Sequence, residues 1–165
     1  MMSGVLYRAR PVLAAAALAM FVAVLGGTLT DTGPWYQSLA KPALQPPDWS
    51  FGVVWTLLFA LVATAGVIAW NAARDRRERE WIFALFSLNG FLNVLWSLLF
   101  FQARRPDWAM IEVVLLWISI LVLMVFLARI SRTASLLLLP YLGWVGLAAY
   151  LNFEIVRLNG PFEAV

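Results

Sequence analysis

Apolar residues run along this chain in five long blocks, with short polar segments between them. Blocks near 20 residues long are sufficient to cross a hydrocarbon core of roughly 30 Å as helices. The pattern predicts helices over Pro11–Thr30, Asp48–Ala72, Glu80–Phe101, Pro106–Ala128 and Thr133–Leu158. The long first connection is residues 31–47. Asp48 is placed to cap the second helix and Pro106 to sit in the first turn of the fourth. Pro140 falls inside the fifth, where it removes an amide donor and frees the carbonyl of Leu136, so a kink is expected there. The fold class that follows is an all-α integral membrane protein, one domain over residues 1–165, built as a bundle of five transmembrane helices.

Composition supports the membrane reading. The chain is 63% hydrophobic and 13% charged, about half the charge of an ordinary soluble domain. Five helices with almost no polar face could not cover one another in water in a protein of 165 residues. Arg8 and Arg10 before the first block resemble the start of a signal peptide, but the block is longer than most such regions. No clean small-x-small cleavage site follows it, so the first span is expected to stay.

Charge then sets an orientation. The amino-terminal tail, the second loop and the fourth loop hold Arg8, Arg10, Arg74, Arg76, Arg77, Arg79, Arg129 and Arg132. The opposite side holds Lys41, Arg104, Arg105 and Arg157. The positive-inside rule places the N-terminus inside, with the first loop and the C-terminus outside. Net charge is +3, and because the basic residues flank apolar blocks it speaks for membrane topology rather than nucleic acid. "RDRRERE" is a candidate patch for anionic lipid, although its acids alternate with its bases, and a solvated turn that sets topology is the simpler account.

There is no cysteine and no histidine. Disulfides, thiolate sites and the commonest metal ligand, haem ligand and general base are thereby excluded. Among nine tryptophans, Trp35, Trp49, Trp70, Trp81 and Trp108 fall near block ends, where indoles favour the headgroup boundary. Trp55, Trp96, Trp117 and Trp144 lie deeper, where an indole N–H seeks a partner. Helical spacing puts Asn89, Asn93 and Trp96 on one face, and Trp108, Glu112, Leu115 and Ser119 on another. Tyr141, Trp144, Ala148 and Asn152 share a third, and Trp55 and Phe59 a fourth. Such faces should look into the bundle, either as the lining of a pocket or as interhelical glue. Glu112 is near enough to a span end to reach water or a partner, and Glu154 can pair with Arg157. No catalytic constellation, phosphate loop or metal cluster is visible.

The segment between the first two blocks is the most specific. Trp35-Tyr36, Lys41-Pro42, Pro46-Pro47, Trp49 and Trp55 fit the pattern WY-x2-L-x-KP-x3-PP-x-W-x5-W. With "FLNVLWSLLFF" (Phe91–Phe101) and "PYLGWVGLAAYLNFEIVRLN" (Pro140–Asn159), the chain resembles the tryptophan-rich sensory protein/translocator protein family (TspO/MBR, peripheral-type benzodiazepine receptor) over Trp35–Asn159. The resemblance implies a five-helix bundle, usually a homodimer in a bacterial membrane for a chain of this kind, with the first loop over one end of a ligand cavity. It implies binding of porphyrins such as protoporphyrin IX, and of sterols and synthetic ligands in some members, with no cofactor required. By matching position the cavity is expected to be lined by Trp35, Tyr36, Pro47, Trp55, Asn93, Trp96, Trp108, Trp144 and Ala148. Trp55 and Trp144 also match positions linked in some bacterial members to light-dependent porphyrin degradation. Phe153 replaces the tyrosine of the animal members' sterol motif, which sets cholesterol apart from porphyrin as a ligand.

Prolines restrict the loop and lower the entropy lost when it closes, while its aromatics offer flat surfaces to a flat ligand. A receptor or sensor for tetrapyrroles is therefore the leading expectation. The rivals are a photochemical porphyrin-degrading enzyme using Trp55 or Trp144, a tetrapyrrole or sterol transporter, and a structural partner protein packing through Ala84, Ser87 and Gly90. No inverted repeat or pair of broken helices marks a transporter.

Overall fold

A computed structural model describes the backbone of residues 2–162 and the side chains of residues 12–162. The chain is all helical among these residues, with five helical stretches long and apolar enough to cross a membrane. It is an all-α integral membrane protein. The order is α1 (Met2–Leu29), α2 (Pro34–Ser38), α3 (Asp48–Ala72), α4 (Arg76–Ser97) continued by a π-helical turn (Leu98–Gln102), α5 (Pro106–Ala128), α6 (Arg132–Leu136) and α7 (Leu139–Asn159).

Spans alternate in direction, so the bundle has two ends. The segment 31–47, the α4–α5 turn and the end of α7 form one, here the loop end. The α3–α4 and α5–α6 turns form the other, the turn end. The most deeply packed helix is α5, whose Ala109, Val113, Leu116, Ile120, Leu123 and Leu127 are buried between α4 and α7. On the far side α3 packs mainly on α1 and α6, and it scarcely meets α7.

Several boundaries follow from capping rather than hydropathy. Asp75 caps α4, its carboxylate accepting from the Glu78 amide at 2.8 Å, while Glu78 accepts from the Arg74 amide at 2.7 Å. These bonds extend α4 into the charged stretch, four residues before Glu80. Asp48 does not cap α3, because Pro47 holds that position and Asp48 is the first helical residue. Pro106 does open α5. Pro140 lies in the first turn of α7, where a missing amide costs nothing. The irregularity expected near Pro140 is a two-residue interruption, Leu137 and Leu138, between α6 and α7 within one span, with Ser131 capping α6. At the other end of α4 the widened π turn points adjacent Phe100 and Phe101 inward together. A regular α-helix would set those neighbours about 100° apart.

Candidate functional site

The loop end is built from aromatic rings. Tyr36 of α2 is buried against Phe101, ring centroids 5.6 Å apart, and Trp35 meets the edge of Phe100 at 6.2 Å. The phenol oxygen of Tyr36 accepts from Gln45 Nε2 at 2.8 Å, and Lys41 Nζ lies 4.3 Å from the ring centroid. Lys41 also reaches Asp48 at 3.8 Å. Asn159, at the end of α7, donates to the Ala40 carbonyl at 2.9 Å and accepts from the Ala40 amide at 2.7 Å. This two-way clasp fastens the segment 31–47 to the last helix. Burial raises the pKa of Tyr36, helped by the charge of Asp48 and opposed by the Gln45 hydrogen bond.

Below this cap, rings span the gap between α3 and α7. Trp144 meets Phe51 edge-on at 5.7 Å, Trp55 stacks on Phe59 at 5.4 Å, and Trp55 meets Tyr141 edge-on at 6.1 Å. Trp55, Trp144 and Ala148 are half-buried. Trp96 stacks on Phe100 at 5.2 Å and donates to Asn152 Oδ1 at 3.1 Å. Asn152 in turn donates to the Pro106 carbonyl at 2.8 Å.

A polar chain crosses the middle of the bundle. Asn93 Nδ2 donates to the Tyr141 hydroxyl at 3.3 Å, and that hydroxyl donates to Asn89 Oδ1 at 3.1 Å. Asn89 Nδ2 donates to Ser119 Oγ at 2.9 Å, and the Ser119 hydroxyl donates to the Leu116 carbonyl at 2.7 Å. Three helices, α4, α5 and α7, are thereby joined through amides and hydroxyls, the glue alternative for the Asn89 face.

The face of Trp108, Glu112 and Leu115 on α5 divides. Trp108 and Leu115 are 53% and 54% exposed, whereas Glu112 is buried. Trp108 stands on the flank of the buried stripe, where the Arg105 guanidinium sits 4.3 Å from its ring centroid. Glu112 reaches neither bulk solvent nor a partner: both carboxyl oxygens are buried without a hydrogen bond among the described residues. The indole N–H of Trp96 is committed to Asn152. Glu154 does pair with Arg157, at 2.7 Å.

Of the nine residues expected to line a pocket, Trp35, Tyr36 and Trp96 gather around Phe100 and Phe101, while Trp55, Trp144 and Ala148 belong to the α3 and α7 faces. Asn93 stands between these groups and a cavity. Pro47 is exposed at the start of α3, and Trp108 is outside. The cavity, about 1090 Å³, lies between α1, α3 and α4 toward the turn end, and Asn93, Asn89 and Tyr141 form one of its walls. Sequence spacing gave no sign of the Asn159 clasp, which is set by the close approach of two segments 119 positions apart.

The profile of the TspO/MBR family matches residues 14–158. The chain belongs to the TspO/MBR family. It is 42% identical to the tryptophan-rich protein TspO of Chlorobaculum tepidum over 144 residues, 86% of this chain and 91% of the relative. It is 32% identical to the tryptophan-rich sensory protein of Cereibacter sphaeroides, covering 81% of this chain and 82% of that one. It is 30% identical to the human translocator protein, with 76% of this chain and 75% of that one matched. Membership extends to α1, which the hallmark motifs alone, beginning at Trp35, did not cover.

Proposed function

We propose that this TspO/MBR member is a membrane receptor or sensor for tetrapyrroles, protoporphyrin IX foremost, bound among the rings of α3 and α7 beneath the segment 31–47. One observation carries the reading. Phe51 meets Trp144 and Trp55 meets Tyr141 across a seam where the two backbones stay apart, and Phe59 stacks on Trp55 along α3. A flat aromatic ligand can exchange ring contacts for ring contacts there. At its floor the Asn93 side-chain oxygen, which has no hydrogen bond among the described residues, offers the directed polar group a ligand site needs. Lys41, in the segment above, would have to exchange its contacts with Asp48 and Gln37 for a ligand carboxylate. The names of the sensory and translocator relatives agree with a receptor role. The reading includes a homodimer with the N-terminus inside. It also sets sterols apart, because Phe153, 51% exposed, has no hydroxyl to offer a sterol.

The test is a protoporphyrin IX titration of purified protein in the dark, followed by tryptophan fluorescence and absorbance. Saturable quenching that weakens in Trp55→Phe and Trp144→Phe is expected. Quenching unchanged in both variants would remove the site. A second reading is favoured by the Trp55–Tyr141 contact at 6.1 Å, a pair of oxidisable rings facing the same seam. Under it, illumination yields a new absorbing product in the wild type and none in the tryptophan variants. A product that forms equally in detergent alone would end that reading.

A further inference from the structure

We propose that the cavity between α1, α3 and α4 is a second site, built for an anionic phospholipid: an acyl chain fills the void and the head-group phosphate rests on Arg79. It adjoins the ring-lined seam at Phe59, Asn93 and Tyr141, extends from there to the turn end, and does not depend on the tetrapyrrole reading.

Small residues open part of the void, and bulky apolar ones such as Phe21, Phe83, Phe86 and Phe91 wall the rest. Ala14, Ala15 and Ala19 of α1, Ala63 and Gly66 of α3, and Gly90 of α4 line it. The helices α1 and α4 come close at Gly90, where an added Cβ would stand 3.1 Å from Val22. From that crossing toward the turn end, the window between them is edged by Leu18 and Phe83, 44% and 56% exposed. The opening therefore faces hydrocarbon. An apolar space of about 1090 Å³ is far beyond the voids that packed interiors tolerate. In a bilayer it is filled by chains. Its lining runs from Arg79 to Val94 along α4, about 22 Å of helix, a length that an extended acyl chain can follow.

Specificity comes from the rim. Arg79 lines the cavity mouth with Trp70 and Asn71, its guanidinium 5.7 Å from the Trp70 ring centroid. A shallower recess of about 610 Å³ adjoins it, sharing Trp70, Arg79 and Phe83 and adding Arg74, Asp75, Arg76 and Glu80. The acids of this stretch are already engaged. Asp75 and Glu78 hold backbone amides, and Glu80 pairs with Arg76 at 2.7 Å. Arg79 forms no ion pair among the described residues, and it lies where a spanning bundle meets the head groups. A guanidinium with an apolar shaft below it suits a phosphate whose chain descends into the void. Basic recesses between membrane helices are a general mode of acidic-lipid recognition.

The experiment is native mass spectrometry of the full chain with phosphatidylglycerol and phosphatidylcholine carrying the same acyl chains. Wild type should retain phosphatidylglycerol about five- to tenfold better. Arg79→Gln should erase that preference, while Arg77→Gln, a neighbouring arginine outside the cavity lining, should keep it within about twofold. Ala63→Phe, which fills the void with an apolar ring, should reduce retention of both lipids, with helicity checked by circular dichroism. Equal retention of the two lipids by the wild type would overturn the proposal. So would equal losses in the two arginine variants, which would mean only diffuse surface attraction. Unchanged retention in Ala63→Phe with native helicity would place the lipid on the surface instead.

Discussion

The two ends of this bundle solve the same packing problem in opposite ways. At the loop end, bulky rings occupy the space between α3 and α7, and the segment 31–47 is stitched over them by Asn159 and Gln45. At the turn end, rings and small residues together surround a space between α1, α3 and α4 that stays open, and a charged turn forms its rim. The same two helices, α3 and α4, serve both ends. The Asn89–Tyr141–Asn93 chain lies where the two ends meet and forms a wall of the cavity. One pair of helices can thus close against its neighbours through rings over one stretch and leave a cavity over another.

The contrast between the ends is most vulnerable on the loop side, where Asn152 ties α4, α5 and α7. Asn152 is 1% exposed and serves both the Trp96 indole and the Pro106 carbonyl. Asn152→Ala leaves both unpaired and should cost about 2 kcal/mol, seen as a lower unfolding midpoint in mixed detergent. A midpoint unchanged from wild type would mean that this bond pair does not hold α4, α5 and α7 together.

Gly90→Leu attacks the other half. Its Cβ would already press on Val22 at 3.1 Å, so α1 must move away from α4, at a cost of about 1–2 kcal/mol. The expected signature is confined to the turn end: accessibility of a spin label on α1 rises while tryptophan fluorescence from the loop end stays constant. Equal disturbance at both ends would show that the halves are not independent.

Asn159→Ala should act on the loop end alone. Losing the clasp on Ala40 should cost about 1 kcal/mol locally and speed proteolysis within residues 31–47, with little change in the global midpoint. Unaltered cleavage would assign the fastening to Tyr36 instead.

The smallest effect is alkaline. Burial raises the Tyr36 pKa above its ordinary 10.0, so the folded state holds this proton more tightly than the unfolded chain does. The contribution is therefore full below pH 10 and is lost as pH rises through the folded value. Proteolysis of the loop should accelerate above pH 10 in wild type and not in Tyr36→Phe. Acceleration that is the same in both would remove Tyr36 as its origin.

Membrane class, the five spans and the family were legible along the chain, because hydrocarbon thickness sets block length and the tryptophan-proline motif is specific. So were Pro106 in the first turn of a helix and the pairing of Glu154 with Arg157, since both depend only on neighbours along one helix. What each inward face does was settled only by packing in three dimensions. Asn89 and Asn93 could equally have lined a pocket or joined helices by spacing, and they join helices while standing at a cavity wall. Spacing grouped Trp108 with Glu112, yet one is exposed and the other buried, because a helical face about 100° wide meets α4 along one edge and leaves the other outside. Pro140 follows a two-residue interruption of its span, and Asn159 found Ala40 across 119 positions. The physical reason is common to these cases. Hydropathy and local hydrogen bonding act within a few residues, whereas the partner of a buried amide, the filling of a gap and the emptiness of a cavity are set by which helices come to lie side by side.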